Sequence, residues 1–141
     1  MADVAGMALS HVPHAAAIGM TVISAEAGVA VCAVPYDVKL IGNPHTGVIH
    51  GGVVTTLLDN ACGVAIGSRL RLMGIIATLD LRIDYLRPGE PGKALHARAE
   101  CFKLTRSVAF VRGIAYEDDA DDPVATCAAA FMITNPKALM P

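Results

Sequence analysis

Between Leu40 and Ser68 the chain carries a single formal charge, Asp59. A helix face open to solvent usually carries several Lys and Glu. An acid standing alone among Gly, Thr and aliphatic residues is therefore expected in a cleft or at an interface. A carboxylate placed there can take a proton from water or attack an electrophilic carbon itself. Spacing alone also fits an acid that caps or bonds a structural group. Ahead of it, His50-Gly51-Gly52 brings two residues without Cβ to the start of the same segment. N–H groups in a first helical turn lack intrahelical partners, and the positive helix end favours an oxygen gaining negative charge. A plain tight turn into a helix needs glycine too, so the pair gains its meaning from the acid that follows.

Distance then sets a condition. Gly51 and Asp59 are eight residues apart, which is about 12 Å along one helix. An activated water and an N–H donor must both lie within about 3 Å of one carbonyl group. One chain cannot arrange that with these two residues. Two antiparallel copies of the helix can, since each start then meets the other's middle. If both residues act on one substrate, the protein is at least a homodimer with symmetric sites.

The elements that must position these residues are legible from periodicity. Residues 51–68 form the one convincing helix. Leu57, Leu58, Val53, Val54, Ala61, Val64 and Ala65 lie opposite Asp59, while Gly52, Thr55, Thr56, Gly63 and Gly67 flank it. Upstream, Ala-rich residues 3–17 predict a short helix ending near Gly19. Residues 20–25 and 29–34 read as two strands around a Glu26-Ala27-Gly28 turn. The loop 41–47 is rich in turn formers. Downstream, residues 75–86 alternate, with Ile75, Ala77, Leu79, Leu81, Ile83 and Tyr85 on one face and Thr78, Asp80, Arg82 and Asp84 on the other. Strands 94–104 and 107–116 pair around Thr105-Arg106, and an acidic turn from Glu117 to Asp122 leads into a last strand, 124–134. A hairpin, one long helix and a meander of four strands predict a single α+β domain over residues 1–141. One antiparallel sheet wraps the helix's apolar side, and residues 1–17 form an N-terminal helical extension.

Composition narrows the class. Of 141 residues, 54% are hydrophobic and 17% charged, which excludes a disordered chain and suggests a surface partly covered by another copy. A net charge of −2 offers no basic footprint for nucleic acid. Charge, Gly or Pro interrupts every long apolar stretch, so no membrane span is expected. The N-terminus does not look like a secretory signal. Cys32, Cys62, Cys101 and Cys127 form no CxxC pair and sit in apolar segments, as buried reduced thiols of a cytoplasmic protein would.

Gly47-Val48-Ile49-His50-Gly51-Gly52, followed by Leu57-Leu58-Asp59-Asn60 and Gly63, resembles the signature of hotdog-fold acyl-CoA thioesterases of the phenylacetate-pathway type. Thr78-Leu79-Asp80-Leu81, Tyr85-Leu86-Arg87-Pro88-Gly89 and Thr105-Arg106-Ser107-Val108-Ala109-Phe110 fit as well. The similarity runs from about residue 15 to residue 134. The resemblance implies a long helix held in a curled antiparallel sheet, assembled as dimers and commonly tetramers, acting on acyl-CoA without a cofactor. It makes Asp59 the catalytic carboxylate, as general base or nucleophile, and the Gly51 N–H of the partner chain the group that polarises the thioester carbonyl. Thr78 takes the place of a Ser or Thr that helps hold the water, and His50 braces the loop or bonds near the thioester. A family Asn in the preceding loop helps place water or carbonyl. Asn43 stands one residue further from His50 than that pattern, and Asn-Pro is also a turn former. Gly52 allows close approach of the substrate, and coenzyme A phosphates call for basic residues at the cleft mouth: Arg106 first, then Arg87 and Lys103.

Two other readings stay open within this fold. An enoyl-thioester hydratase pairs an acid with a histidine, in a motif unlike HGG with a downstream Asp. A non-catalytic acyl-CoA-binding domain has no need of the Gly51, Asp59 and Thr78 set. The histidines lack a third ligand at convincing spacing, so no metal is expected. The absence of a GxSxG elbow argues against a serine hydrolase.

Overall fold

Ala27 and Gly28 carry φ of +51° and +87°, the pair of left-handed residues whose twist suits a two-residue hairpin. They join β1 (Thr21–Glu26) to β2 (Val29–Val34). This is a computed structural model, and it describes residues 11–70 and 75–134. Before the hairpin, α1 is a short helix, Pro13–Ala17. Of the rest of the expected helix 3–17, residues 3–10 lie outside the described residues, and His11 and Val12 are not helical, Val12 being the extended residue that precedes Pro13.

From β2 the chain makes a 3-10 turn at Val38–Leu40 and a loop pinned at its neck. There Ile41 bridges Ile49, and the His50 N–H donates to Leu40 O. The long helix α2 follows, Gly51–Leu70. It buries Val53, Val54, Leu57, Leu58, Ala61, Cys62, Ala65 and Ile66, which takes in the stripe that periodicity places opposite Asp59 except for the half-buried Val64. Then come β3 (Ile75–Tyr85), β4 (Leu95–Leu104), β5 (Val108–Tyr116) and β6 (Ala125–Thr134). All six strands form one antiparallel sheet in the order β1-β2-β4-β5-β6-β3.

α2 packs chiefly on β2, β4 and β5. The sheet face beneath it is built on small side chains, including Ala30, Cys32, Ala97, Ala99, Ala109 and Ala115, all fully buried. A sheet that curls round a helix leaves little radial space, and alanine and cysteine fill it without strain. All four cysteines are buried and free, and burial pushes the Cys32 thiol up to about 12. Among the described residues no helix is long and apolar enough to cross a membrane.

Two expectations are corrected. The last four strands are not a meander, because β3 pairs with β6 at the sheet's edge and only β4, β5 and β6 follow one another. The segment after β3 holds Pro88 and Pro91 and is too long for a hairpin. Arg87 anchors it to Glu117 and Asp122 beyond the end of β5, so it crosses the end of the sheet before β4 begins. The even alternation of β3 also fails. The register shifts between Thr78 and Asp80, leaving Leu79 as an extra, bulged residue. A bulge reverses which side of the strand the alternating side chains face. Ile76 and Thr78 therefore share the helix side with Leu81, Ile83 and Tyr85.

Candidate active site

The bulge at Leu79 turns Thr78 onto the helix. Its hydroxyl donates to Asp59 Oδ1 at 2.7 Å. Asp59 is half-buried, in line with an acid that sits neither in the core nor on an open face. Its neighbour Asn60 is occupied within the helix, donating from Nδ2 to Thr56 O at 2.8 Å.

At the start of α2 the pinned loop delivers His50 as the cap. His50 Nδ1 accepts the Gly52 N–H at 2.8 Å, which places the ring proton on Nε2 when the imidazole is neutral. A Cβ on Gly52 would stand 2.9 Å from that nitrogen, so the cap itself requires glycine. His50 O accepts the Val53 N–H at 2.9 Å. Gly51 is different. Its N–H donates to no atom among the described residues, and a Cβ there would meet only the Tyr85 ring, at an ordinary 3.5 Å. Nothing among the described residues needs glycine at 51, and the residue is exposed.

Beside Gly51 lies a cleft of about 210 Å³, walled by Val48, Ile49, Val54, Leu95 and Val124, with Tyr85, Arg87, Pro88 and Gly89 completing it. Arg87 is fully engaged there. It donates to Glu117 Oε1 at 2.8 Å, to Asp122 Oδ1 at 3.3 Å, and to Pro88 O and Asp122 O. The hydrogen bond to Glu117, with Asp122 beside it, holds the guanidinium pKa above its usual value against desolvation. Glu117 is only 6% exposed, and its second oxygen accepts the Glu90 N–H.

The structure thus joins Asp59 with Thr78, and His50 with Gly51 and Gly52, as two separate groups on one helix. Asn43 is used within its own loop, where Oδ1 accepts the His45 N–H at 2.9 Å and its carbonyl accepts from Thr46 and Gly47. Arg106 is exposed on the β4–β5 turn. Two residues with a part in the site carried no role in the sequence reading. Tyr85 closes β3 and bonds the first residue of α2. A lone phenol ending an otherwise aliphatic run was the available signal. Glu117 opens an acidic run that reads as solvated, and only its pairing with Arg87 reveals the burial.

A sequence profile of the thioesterase superfamily matches residues 46–123, from the loop before His50 to the acidic turn after β5. The medium/long-chain acyl-CoA thioesterase YigI of Escherichia coli is 29% identical over 140 residues, covering 90% of this chain and 89% of its own. Among solved structures, a protein from Pseudomonas aeruginosa superposes with a TM-score of 0.85 at 43% identity, over 92% of this chain and 96% of its own. The phenylacetic acid degradation protein PaaI from Thermus thermophilus gives 0.74 at 29% identity, over 85% of this chain and 97% of its own.

Proposed function

This chain belongs to the thioesterase superfamily, with its hotdog fold and thioester hydrolase activity, and on that premise we propose that it hydrolyses acyl-CoA at sites shared between two copies. One observation carries the shared site. The Asp59–Thr78 pair and the unpartnered Gly51 N–H lie on one helix, about 12 Å apart. The strand β3 supports the same reading. It is an edge of 11 residues with Leu79 54% exposed, and an open edge of that length is a template for a second strand. Pairing two β3 edges about a two-fold axis would run the two α2 helices antiparallel.

In that arrangement the Gly51 N–H of one copy donates to the thioester carbonyl and draws charge onto its oxygen. The Asp59 carboxylate of the other copy takes a proton from water as it attacks, or attacks the carbon itself. Thr78 holds Oδ1 and leaves Oδ2 to act. The tetrahedral intermediate collapses by breaking the C–S bond, and the coenzyme A thiolate takes up the proton that water gives up. Where Asp59 itself attacks, that water enters in a second step, hydrolysing the acyl–Asp59 anhydride to the carboxylic acid and the free carboxylate. His50 and Gly52 keep the helix start in place. Arg106, with Lys103 close by, would meet the coenzyme A phosphates, whereas Arg87 serves as a wall of the cleft. Asn43 is exposed, with only Oδ1 of its side chain engaged among the described residues, so its Nδ2 would be the group to reach the shared site. The aliphatic walls next to Gly51, like the name of the YigI relative, favour an aliphatic acyl chain. Four buried free thiols suit the cytoplasm, a reducing compartment.

Free-thiol release from medium-chain, long-chain and phenylacetyl-CoA, with wild type beside Asp59→Asn, tests this reading. The substitution keeps the shape of the side chain, so the fold should survive while kcat drops about 10²–10⁴-fold. Full turnover by folded Asp59→Asn would sink the mechanism.

A further inference from the structure

Tyr85 takes no part in the mechanism above, yet its phenol crosses from the end of β3 to the first residue of α2. The hydroxyl donates to Gly51 O at 3.0 Å and lies 2.8 Å from Thr55 Oγ1, which is itself 3.2 Å from the same carbonyl. Thr55 Oγ1 and the Tyr85 hydroxyl can each donate to the carbonyl, which has two lone pairs, and either hydroxyl can donate to the other.

The peptide unit concerned joins Gly51 C=O to Gly52 N–H, and it is held at both ends. Tyr85 takes the oxygen and His50 Nδ1 takes the N–H. In the preceding unit, His50 O is fixed by Val53 N–H, so the Gly51 N–H is the group left without a partner among the described residues. A glycine at the first position of a helix has wide backbone freedom of its own. Tyr85 removes that freedom from outside the helix. The bulge at Leu79 also gives Tyr85 the same facing as Thr78, so one strand serves both groups of the site.

We propose that Tyr85 is a positioning residue: by holding the Gly51–Gly52 peptide unit it restrains the φ and ψ of Gly51, so that the Gly51 N–H, in the unit before, is already aimed when the carbonyl oxygen gains charge. The proposal rests on the reading that Gly51 polarises the thioester. A donor that need not reorient is worth most in the transition state.

Tyr85→Phe keeps the ring over Gly51 and removes only the hydroxyl. kcat should fall about tenfold while KM holds within about twofold, because the lost effect is specific to the transition state. A second readout separates the two layers of the argument. A ketone analogue of acyl-CoA, with methylene in place of sulfur and an isotope-labelled carbonyl, is bound to each protein and its C=O stretch recorded. In wild type the band should lie below its position in water, and in Tyr85→Phe it should return toward that position and broaden. Equal bands and equal kcat in the two proteins would overturn the role of Tyr85 and leave the Gly51 donor standing. A rise in KM with kcat unchanged would make Tyr85 a wall of the cleft and overturn positioning. A wild-type band at its position in water would overturn the Gly51 reading, and Tyr85 with it.

Discussion

The start and the middle of the polar side of α2 are built on different plans. At the start, successive peptide units are pinned by His50 Nδ1, Val53 N–H and the Tyr85 hydroxyl, and the Arg87–Glu117 pair backs the adjoining cleft wall. Two turns on, the Asp59 carboxylate receives one hydroxyl, that of Thr78, beside an edge strand. The helix start is thus held at several points within one chain, and the stretch at Asp59 is lightly held. That division fits the tasks. A dipole stabilises developing charge best when it is fixed beforehand, whereas a group that accepts a proton needs an open oxygen and room for water.

The sharpest way to break the contrast is to delete the donor and keep the helix. Gly51→Pro removes the N–H at a first helical position that proline tolerates, and a Cβ there makes only an ordinary contact with the Tyr85 ring. Turnover should fall about 10²–10³-fold with thermal stability nearly unchanged, as read by thiol release and a melting curve. Loosening the stretch at Asp59 should cost less. Thr78→Val keeps the volume and loses the bond to Asp59, for a drop of about tenfold in kcat and little change in stability. A drop as large as that of Gly51→Pro would mean that this stretch is as preorganised as the start. The smallest effect on chemistry is expected at the scaffold. Glu117→Gln keeps a partner for Arg87 but removes its buried charge, for about 1–2 kcal/mol of stability in a denaturant titration. Its kcat should stay within about twofold of wild type, because the cap and the Tyr85 bond at Gly51 remain.

How much of this could be read beforehand follows the range of the signal. The bounds of α2, and of the strands from β4 onward, were set by Gly, Pro and acidic punctuation within a few residues of each end. The isolation of Asp59 and the bare helix start were visible as local composition. The bulge at Leu79 was not, because register is fixed by β6 across the sheet and no residue within β3 announces it. Thr78 was consequently placed on the wrong face by alternation, even though the family resemblance gave it a part in the site. The partner of β3 was hidden for a similar reason. Its antiparallel neighbour lies about fifty residues away, and the nearer β4 made a meander the simpler reading. The burial of Glu117 depends on Arg87, thirty residues earlier.

The shared site can be tested most directly with hybrid dimers. Gly51→Pro and Asp59→Asn chains, carrying different affinity tags, are co-expressed, and the species holding one of each is isolated and assayed for thiol release. If each site takes its donor from one chain and its acid from the other, one of the two sites in the hybrid holds both intact groups. Activity should then return to about half that of wild type, although both parent variants are nearly inactive. A hybrid as inactive as its parents would show that Gly51 and Asp59 do not meet across two chains.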